Sequence, residues 1–257
     1  MLQTKKSLGQ HFLTDPNYIG KITKTALEAE AATHVEIGPG AGALTDKLYA
    51  GADHLVLIET DQRMIEELKR RYPKAEVMAV DVLDFDWQQL SDRAPLAVTG
   101  NLPYNISSPI LFQLLDNRLL LDQAVVMLQK EVADRILAKP STKAYGILSV
   151  QFQLFFGVER LFNVPPTVFR PPPKVDSTVL RLKPKTGFDP EVPEAFLRTL
   201  IRRAFARRRK TLQNNLKSVY DVEPLSEELR SRRAESLSPD EFVAMAKRLY
   251  SRKDEKQ

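Results

Sequence analysis

The chain has 257 residues, of which 43% are hydrophobic and 28% charged, a composition typical of a globular protein with room for one large and one small domain. It contains no cysteine, which excludes disulfide bonds and thiol catalysis, and its three scattered histidines give no metal-ligand cluster, so we expect no metal. The net charge is +5, no apolar run approaches transmembrane length, and the N-terminus lacks a signal-peptide pattern, which together predict a cytoplasmic protein with no membrane association.

Residues 34 to about 129 alternate between short apolar segments typical of strands and segments with helical spacing. This alternation predicts a mainly parallel sheet covered by helices on both faces, that is, a doubly wound, Rossmann-like α/β fold. Two later apolar segments, 147–156 and 175–182, are interpreted as further strands that could pair antiparallel at one edge. The predicted strands are 34–38, 54–59, 76–80, 95–100 and 123–128, and the predicted helices are 44–49 and 62–72.

The proline-rich residues 165–174 are expected to form an extended, stiff loop, because proline lacks the backbone donor that a helix or a central strand needs. Residues 183–190 have the composition of a linker, and the chain beyond them shows helical spacing and no strand signal. We therefore predict a catalytic sheet domain over residues 1–184 and a small all-helical domain over residues 185–257. Residues 187–257 carry 16 Lys and Arg against 12 Asp and Glu, which favours a polyanionic partner such as RNA.

A dense basic segment lies in the predicted helical domain, where six of the nine residues from 202 to 210 are Arg or Lys. Before it, apolar side chains from Phe196 to Ala204 are spaced like one face of a helix. Continuing that helix would place arginines on the apolar face, so the helix is expected to end or bend near Ala206. The cations would then be free to contact RNA phosphates, although a solvated basic helix end is the simpler alternative. The residues assigned to RNA contact are Arg207, Arg208, Arg209 and Lys210.

Three predicted strands end in residues suited to a nucleoside-containing cofactor. A glycine-rich turn, residues 36–42 (Glu-Ile-Gly-Pro-Gly-Ala-Gly), follows the first strand and lets the backbone approach a ligand closely at Gly38. Glu59 ends the second strand, where a carboxylate can accept both hydroxyls of a ribose, and Asp81 follows the third, where it can accept an adenine amino proton. Each carboxylate alone could be a solvated loop residue, and the turn alone could serve a dinucleotide. Since the ends of parallel strands share one edge of the sheet, the three together predict one cofactor site.

The tetrapeptide 101–104 (Asn-Leu-Pro-Tyr) follows the fourth predicted strand at the same edge. An exocyclic amino group such as adenine N6 is a poor nucleophile because its lone pair is delocalised into the ring. The Asn101 side-chain oxygen and a nearby backbone carbonyl can accept its two protons, and Tyr104 offers a ring on which a base can stack. A plain strand-to-helix turn, with Ser108 capping a helix that starts at Pro109, is the alternative. With the cofactor site, the tetrapeptide predicts an S-adenosylmethionine-dependent N-methyltransferase.

Five motifs make the chain resemble the ribosomal RNA adenine dimethylases, and within that family most closely the bacterial small-subunit enzymes. The motifs run from residue 6 to residue 212, and the first and fourth have little meaning outside the family. They are Lys6-Ser-Leu-Gly-Gln-His-Phe-Leu13, Glu36-Ile-Gly-Pro-Gly-Ala-Gly42, Asn101-Leu-Pro-Tyr104, Phe169-Arg-Pro-Pro-Pro-Lys-Val-Asp-Ser177 and Arg207-Arg-Arg-Lys-Thr-Leu212.

The resemblance implies a reaction, a substrate and a set of site residues. The implied reaction is N6-dimethylation of two adjacent adenosines in a hairpin near the 3′ end of small-subunit (16S) rRNA in an assembling subunit, with S-adenosylmethionine as methyl donor and a monomeric enzyme. Many relatives have Asn at the position of His11, and either residue can form hydrogen bonds. The implied target-base site is Asn101, Leu102 and Tyr104 with Phe169 as the opposing aromatic, and the implied cofactor contacts are His11, Leu13, Gly38, Glu59, Asp81 and Asn101.

Four other functions are compatible with parts of this pattern. The nearest is the large-subunit relative that modifies one adenine and confers macrolide resistance, and the next is a DNA adenine methylase with a related Asn-Pro-Pro-Tyr motif. A non-catalytic ribosome-assembly factor could keep the fold, but the intact Glu59, Asp81 and Asn101 argue against it. A NAD-dependent oxidoreductase is disfavoured because the sequence offers no residue set for hydride chemistry.

Overall fold

The computed structural model describes residues 11–254, with side chains described through residue 250. Residues 6–10 of the first motif lie outside the described residues. The chain divides into two compact units, one formed by residues up to 133 together with 158–184, and the other by residues 134–157 together with those from 185 onward. In chain order the helices and strands are β1 (Phe12–Leu13), α1 (Pro16–Ala26), β2 (Thr33–Ile37), α2 (Thr45–Gly51), β3 (His54–Glu59), α3 (Gln62–Arg71), β4 (Glu76–Ala79), β5 (Leu96–Asn101), α4 (Ser107–Asp116), β6 (Leu121–Gln129), α5 (Lys130–Ile136), α6 (Ile147–Phe155), β7 (Phe156–Val164), β8 (Phe169–Arg170), β9 (Ser177–Pro184), α7 (Glu194–Ala204), α8 (Leu212–Leu216), α9 (Glu227–Ser231) and α10 (Pro239–Asp254).

The first unit is built on a seven-stranded sheet with the order β4-β3-β2-β5-β6-β9-β7. The strands from β4 to β6 in that order run parallel, and β9 is antiparallel to β6. The chain leaves β2 toward β3 and β4 on one side and later returns to build β5 and β6 on the other. The carboxyl ends of β2 and β5 therefore flank the switch point at which open α/β sheets bind ligands.

The five predicted parallel strands are confirmed to within a few residues, and the α/β class is confirmed. All five residues of β2 are buried, because helices cover both faces of the sheet and the strand meets no solvent. Two flanking predicted helices are also confirmed as α2 and α3.

The prediction of a strand over residues 147–156 is wrong, because this segment forms helix α6, Ile147–Phe155. Six of its nine residues are buried, polar Ser149 and Gln151 among them, so the segment shows no polar face that would reveal a helical period. The helix contacts α7 and α10 within the second unit. The described elements of that unit offer this segment no strand to pair with, and a helix forms its backbone hydrogen bonds within itself. The prediction for 175–182 is confirmed as β9, whose outer neighbour is β7.

The second unit consists of helices and their connections, apart from the first two residues of β7, and it includes a segment of the chain before the expected boundary at residue 184. Residues 134–157 group with the C-terminal helices because α6 packs on α7 and α10. Four residues of the apolar face of α7 are buried, namely Leu197, Leu200, Ile201 and Ala204. The helix ends at Ala204, which confirms the expected end of the helix near Ala206 to within two residues. Within residues 11–254, no helix is both long and apolar enough to cross a membrane.

Candidate active site

The glycine-rich turn after β2 has a backbone that only glycine adopts readily. Gly38 and Gly40 have φ angles of 64° and 53°, in the left-handed region. A Cβ atom at Gly40 would lie 2.8 Å from the Phe12 ring, so the turn can pass beneath that ring only without a side chain. A Cβ at Gly38 would meet no atom within 4 Å, which leaves open space over this part of the turn for a ligand.

The Glu59 carboxylate, at the end of β3, ties this turn to the next strand. Its Oε2 accepts a hydrogen bond from Gly40 N at 3.0 Å, and its Oε1 accepts from Thr60 N and Asp61 N, both at 2.9 Å. The residue is 6% exposed. A carboxylate offers about four acceptor positions, so three backbone donors leave capacity on Oε2 for one further hydroxyl. The structure therefore supports acceptance of one ribose hydroxyl by Glu59 Oε2 rather than acceptance of both hydroxyls.

Asp81, just beyond β4, is held by one oxygen and leaves the other available. Its Oδ1 accepts from Leu83 N at 2.9 Å, and its Oδ2 accepts no hydrogen bond from the described residues. The neighbouring Val80 and Val82 line the same cavity as Asp81. A partly buried acceptor between two apolar side chains can bind the amino group of an adenine whose faces lie against those side chains.

A cavity of about 200 Å³ opens at this edge of the sheet and joins the predicted site residues. Its apolar walls and its few polar groups are typical of a small-ligand site. The residues that line it are His11, Phe12, Ile37, Gly38, Gly40, Ile58, Glu59, Thr60, Val80, Asp81, Val82, Asn101, Leu102, Pro103, Tyr104, Asn105 and Ile106.

Leu13 and Phe169 are the two predicted site residues that the structure does not bring to this cavity. They lie opposite each other in the antiparallel pair of β1 and β8, with exposed fractions of 3% and 0%. Because side chains alternate along a strand, both point into the apolar core, and their neighbour Phe12 reaches the cavity instead. The expected role of Phe169 as an aromatic opposing the target base is therefore corrected: its side chain supports the site from the core. The same alternation, applied to residues 11–13, is the signal that could have identified Phe12.

The amide of Asn101, at the end of β5, is oriented by a residue 90 positions earlier in the chain. Its Nδ2 donates to the backbone carbonyl of His11 at 2.9 Å. An amide nitrogen can only donate and a carbonyl can only accept, so this contact fixes which end of the amide is which. The Asn101 side chain lines the cavity, and its Oδ1 remains available there as a hydrogen-bond acceptor.

Tyr104 is also held by distant residues. Its hydroxyl shares a hydrogen bond of 2.6 Å with Ser177 Oγ, and burial raises the pKa of Tyr104, so the phenol stays neutral. The His11 ring lies 5.5 Å from the Tyr104 ring between centroids, tilted by 30°, and His11 Nδ1 donates to Pro171 O at 2.8 Å. Ser177 belongs to the fourth motif, but nothing in the sequence predicted its contact with Tyr104.

Helix α4 begins two residues earlier than the predicted start at Pro109. The helix starts at Ser107, and Ile106 occupies the capping position without a side-chain hydrogen bond. Ser107 Oγ instead donates to Tyr104 O at 3.3 Å, which helps to hold the turn that carries the tetrapeptide. Pro109 remains within the first turn, where its missing N–H has no helical partner to lose.

Glu36 is a second carboxyl group near the glycine-rich turn, and it is buried in the sheet. Its Oε2 accepts from Thr45 Oγ1 at 2.7 Å, and the residue is 1% exposed. Burial raises the pKa of Glu36 to about 8, and the nearby Glu59 charge acts in the same direction. At neutral pH this carboxyl group is therefore mostly protonated.

The basic segment after α7 is exposed, but its four cations are not equivalent. Arg207, Arg209 and Lys210 form no ion pair with the described residues. Arg208 instead pairs with Glu235, with Nε 2.9 Å from Oε2, and donates to Lys143 O at 2.6 Å. The expectation that Arg208 is free for phosphate contact is thus corrected, because its guanidinium is used within the protein.

Residues 1–250 match the family model described as "Ribosomal RNA adenine dimethylase". The chain belongs to the ribosomal RNA adenine dimethylase family. Two bacterial relatives named "Ribosomal RNA small subunit methyltransferase A" support this placement across nearly the whole chain. The protein from Prosthecochloris aestuarii is 45% identical, covering 96% of this chain and 95% of its own, and that from Salinibacter ruber is 44% identical, covering 97% and 86%.

Two solved dimethylase-like structures share the fold. A dimethyladenosine transferase from Plasmodium falciparum superposes with a TM-score of 0.78 at 30% identity, covering 91% of this chain and 96% of its own. The 23S rRNA methyltransferase ErmE superposes with a TM-score of 0.70 at 26% identity, covering 93% and 99%. As a dimethylase of this family the protein is a methyltransferase, and its cofactor is S-adenosylmethionine. No group of three or more metal-ligating side chains occurs within the described part of the chain.

Proposed function

We propose that this dimethylase methylates N6 of two adjacent adenosines in the 3′-terminal hairpin of small-subunit rRNA, as a monomer acting on assembling subunits in the cytoplasm. The observation that carries the chemistry is the Asn101 amide, whose nitrogen is held by His11 O and whose oxygen remains an acceptor at the cavity. The observation that favours this substrate is the 45% identity to a small-subunit enzyme over almost the full length of both chains.

The residues at the edge of the sheet fit S-adenosylmethionine. The open space over Gly38 accommodates the ligand beside the turn, the remaining capacity of Glu59 Oε2 suits a ribose hydroxyl, and Asp81 Oδ2 suits the adenine amino group. His11 lines the same cavity, whereas Leu13 can take part only through its backbone because its side chain is in the core. When bound, the cofactor supplies a methyl group that is already electrophilic.

The protein's part in the reaction is to position N6 and to exclude water from the site. Asn101 Oδ1 and the Leu102 carbonyl accept the two amino protons, which frees the N6 lone pair for attack and stabilises the positive charge that develops on it. One amino proton then passes to water. Tyr104 stacks against the extruded adenine, which offsets unstacking from the RNA by ~1–3 kcal/mol.

We further propose that Arg207, Arg209 and Lys210 contact backbone phosphates of the rRNA. All three are exposed and lack an acidic partner among the described residues, so their charge is available to a polyanion. Arg208 is not included, because Glu235 already neutralises its charge.

A large-subunit target is the second candidate, since the fold superposes on ErmE with a TM-score of 0.70. The protein should be incubated with labelled S-adenosylmethionine and undermethylated small subunits, large subunits or DNA, and the label mapped. We expect dimethyladenosine at two adjacent positions of the small-subunit RNA. Label confined to one adenine of the large subunit would establish the rival target, and an unlabelled RNA with retained binding would indicate a non-catalytic assembly factor.

A further inference from the structure

The loop between α5 and α6, residues 137–146, lies beside the basic turn that follows α7. Arg208 joins the two segments: its NH2 group donates to Lys143 O at 2.6 Å, while its Nε bonds to Glu235 at 2.9 Å. A second contact comes from Ser141 N, which donates to the backbone carbonyl of Glu235 at 2.7 Å. The loop and the turn, 65 residues apart in the chain, are therefore parts of one local structure.

The loop is held firmly at its far end as well. The Tyr145 ring is 1% exposed, and its hydroxyl donates to Leu237 O at 2.8 Å. Within the loop, Thr142 Oγ1 donates to Lys139 O at 2.7 Å and closes a turn. A loop with this many tertiary contacts presents its exposed side chains at defined positions.

The basic turn is fixed by a buried side chain of α8. Asn215 Nδ2 donates to Ala204 O at 2.6 Å and to Arg207 O at 3.2 Å, so it binds the end of α7 and the start of the turn together. The Lys210 amide then donates to Arg207 O at 2.9 Å. Both segments therefore hold their cations on an ordered backbone, which lowers the entropy lost when a rigid polyanion binds.

Five cations on these two segments are exposed and have no ion-pair partner among the described residues. Among the described residues, the acidic side chain that forms an ion pair with these two segments is Glu235, and its partner is Arg208. The surface is therefore strongly positive, with no carboxylate free to neutralise it within these contacts. These five cations form what we call the two-segment basic surface: Lys139, Lys143, Arg207, Arg209 and Lys210.

We infer that Lys139 and Lys143 contact backbone phosphates of the substrate RNA together with the cations of the basic turn, and that Arg208 is a positioning residue that holds the lysine loop in place. This inference rests on the proposed function and adds residues from a second chain segment to the RNA-binding surface. The chemistry favours phosphate over an acidic protein surface, because lysines and arginines at spaced positions suit a regularly charged backbone.

The role of Arg208 follows from which of its donors are used. The Nε and NH2 groups form the edge with which a guanidinium binds a phosphate through two hydrogen bonds, and both already donate within the protein. Among the described residues only the NH1 group of Arg208 has no hydrogen-bond partner, and the ion pair with Glu235 offsets the positive charge of Arg208. Arg208 is thus poorly suited to bind phosphate and well suited to join loop to turn.

The test compares RNA affinity against salt concentration for the full-length protein and its variants, with purified small-subunit rRNA as probe. Lys139→Gln with Lys143→Gln should weaken binding about 10- to 30-fold at 0.15 M salt and reduce the log–log salt slope by about 1.4–1.8, the loss of two phosphate contacts. A matched control, Lys69→Gln with Lys74→Gln, removes two exposed charges from another part of the protein and should parallel the wild type. Equal lines for the Lys139/Lys143 variant and the wild type would overturn the inference.

Arg208 is tested in the same assay by exchange and by a double-mutant cycle. Arg208→Lys keeps the charge but loses the paired donors, so it should weaken binding as much as Arg208→Gln, and neither should add to the loss in the Lys139/Lys143 background. Binding retained by Arg208→Lys, or additive losses, would show a direct phosphate contact and overturn the positioning role. Circular dichroism and unchanged cofactor affinity confirm that each variant is folded.

The outcome for the proposed function is read separately. If the wild type methylates small subunits but the lysine variant binds like the wild type, only the two-segment basic surface is wrong. If the wild type labels no small-subunit RNA, the proposed function is wrong, while the salt dependence of rRNA binding still decides whether the two lysines contact phosphate.

Discussion

At the ends of β3 and β4 the carboxylates of the cofactor half of the site are held by backbone N–H groups, most of them close by in the sequence. Glu59, for example, is bound by Thr60 N, Asp61 N and the turn 19 residues before it. At the end of β5, the target-base half depends on distant segments: Asn101 is oriented by His11, and Tyr104 by Ser177, 73 residues later. The cofactor half is thus locally encoded, whereas the target-base half exists only once three parts of the chain have met.

The largest effect is expected from the core beneath the target-base half. Phe169→Ala removes a ring that is 0% exposed, and such truncations destabilise proteins by about 3–5 kcal/mol. Chemical denaturation should show this loss, and Phe169→Leu should recover most of it. A variant with wild-type stability but poor RNA methylation would instead place the ring in the target-base site.

Catalysis should be most sensitive at Asn101. Asn101→Ala removes the amide acceptor and should slow single-turnover methylation by ~10² or more, about 3 kcal/mol of transition-state stabilisation. The rate should be measured at saturating S-adenosylmethionine, so that a contact of Asn101 with the cofactor does not contribute to the loss. Wild-type methylation in this variant would reduce Asn101 to a turn residue.

In the cofactor half, Glu59→Ala should weaken S-adenosylmethionine binding by about 1–3 kcal/mol, and it should also lower the melting temperature. Both effects share one cause, since the change leaves three backbone donors without their acceptor. Glu59→Gln keeps one carbonyl oxygen and should give an intermediate result in calorimetry and thermal melts. Full cofactor affinity in the alanine variant would rule out the ribose contact.

A smaller loss is expected at Ser177, which is buried and touches the site only through Tyr104. Ser177→Ala should cost about 1 kcal/mol, the usual worth of a hydrogen bond, and should appear as a higher KM for RNA with kcat nearly unchanged. Ser177→Thr keeps the hydroxyl and is the matched control. An equal effect in Tyr104→Phe and in the double variant would confirm that both residues act through one contact, whereas additive effects would separate them.

The smallest effect under acidic conditions, near pH 4.5, is expected at Glu36, whose pKa is raised from 4.5 to about 8 by burial. The folded protein binds this proton more tightly than the unfolded chain does, so the free energy of unfolding should fall as pH rises from about 4.5 to about 8. Glu36→Gln preserves an acceptor for Thr45 and cannot ionise, so it should match the wild type near pH 4.5, flatten this part of the pH profile and be more stable than the wild type near pH 7. Parallel profiles for the two proteins would mean that Glu36 ionises normally.

The sequence by itself determined the parallel sheet, the alternation of strands and helices along the chain, and the cofactor half of the site. Strands buried on both faces, such as β3 and β5, appear as largely apolar runs. The parallel arrangement brings the carboxyl ends of the strands to one edge of the sheet. Gly38, Glu59 and Asp81 could therefore be placed together without knowledge of any long-range contact.

Tertiary structure alone decided the features that depend on which face a side chain takes or on what lies opposite it. The pairing of β1 with β8 directs Phe169 inward and Phe12 to the cavity, and one residue of register would exchange them. The apolar segment 147–155 is a helix because helices surround it, and periodicity carries no signal when every face is buried. Arg208 looks like its neighbours in sequence, and only the fold brings Glu235 and the carbonyl of Lys143 to it, because a salt bridge and a hydrogen bond depend on distances that sequence does not contain.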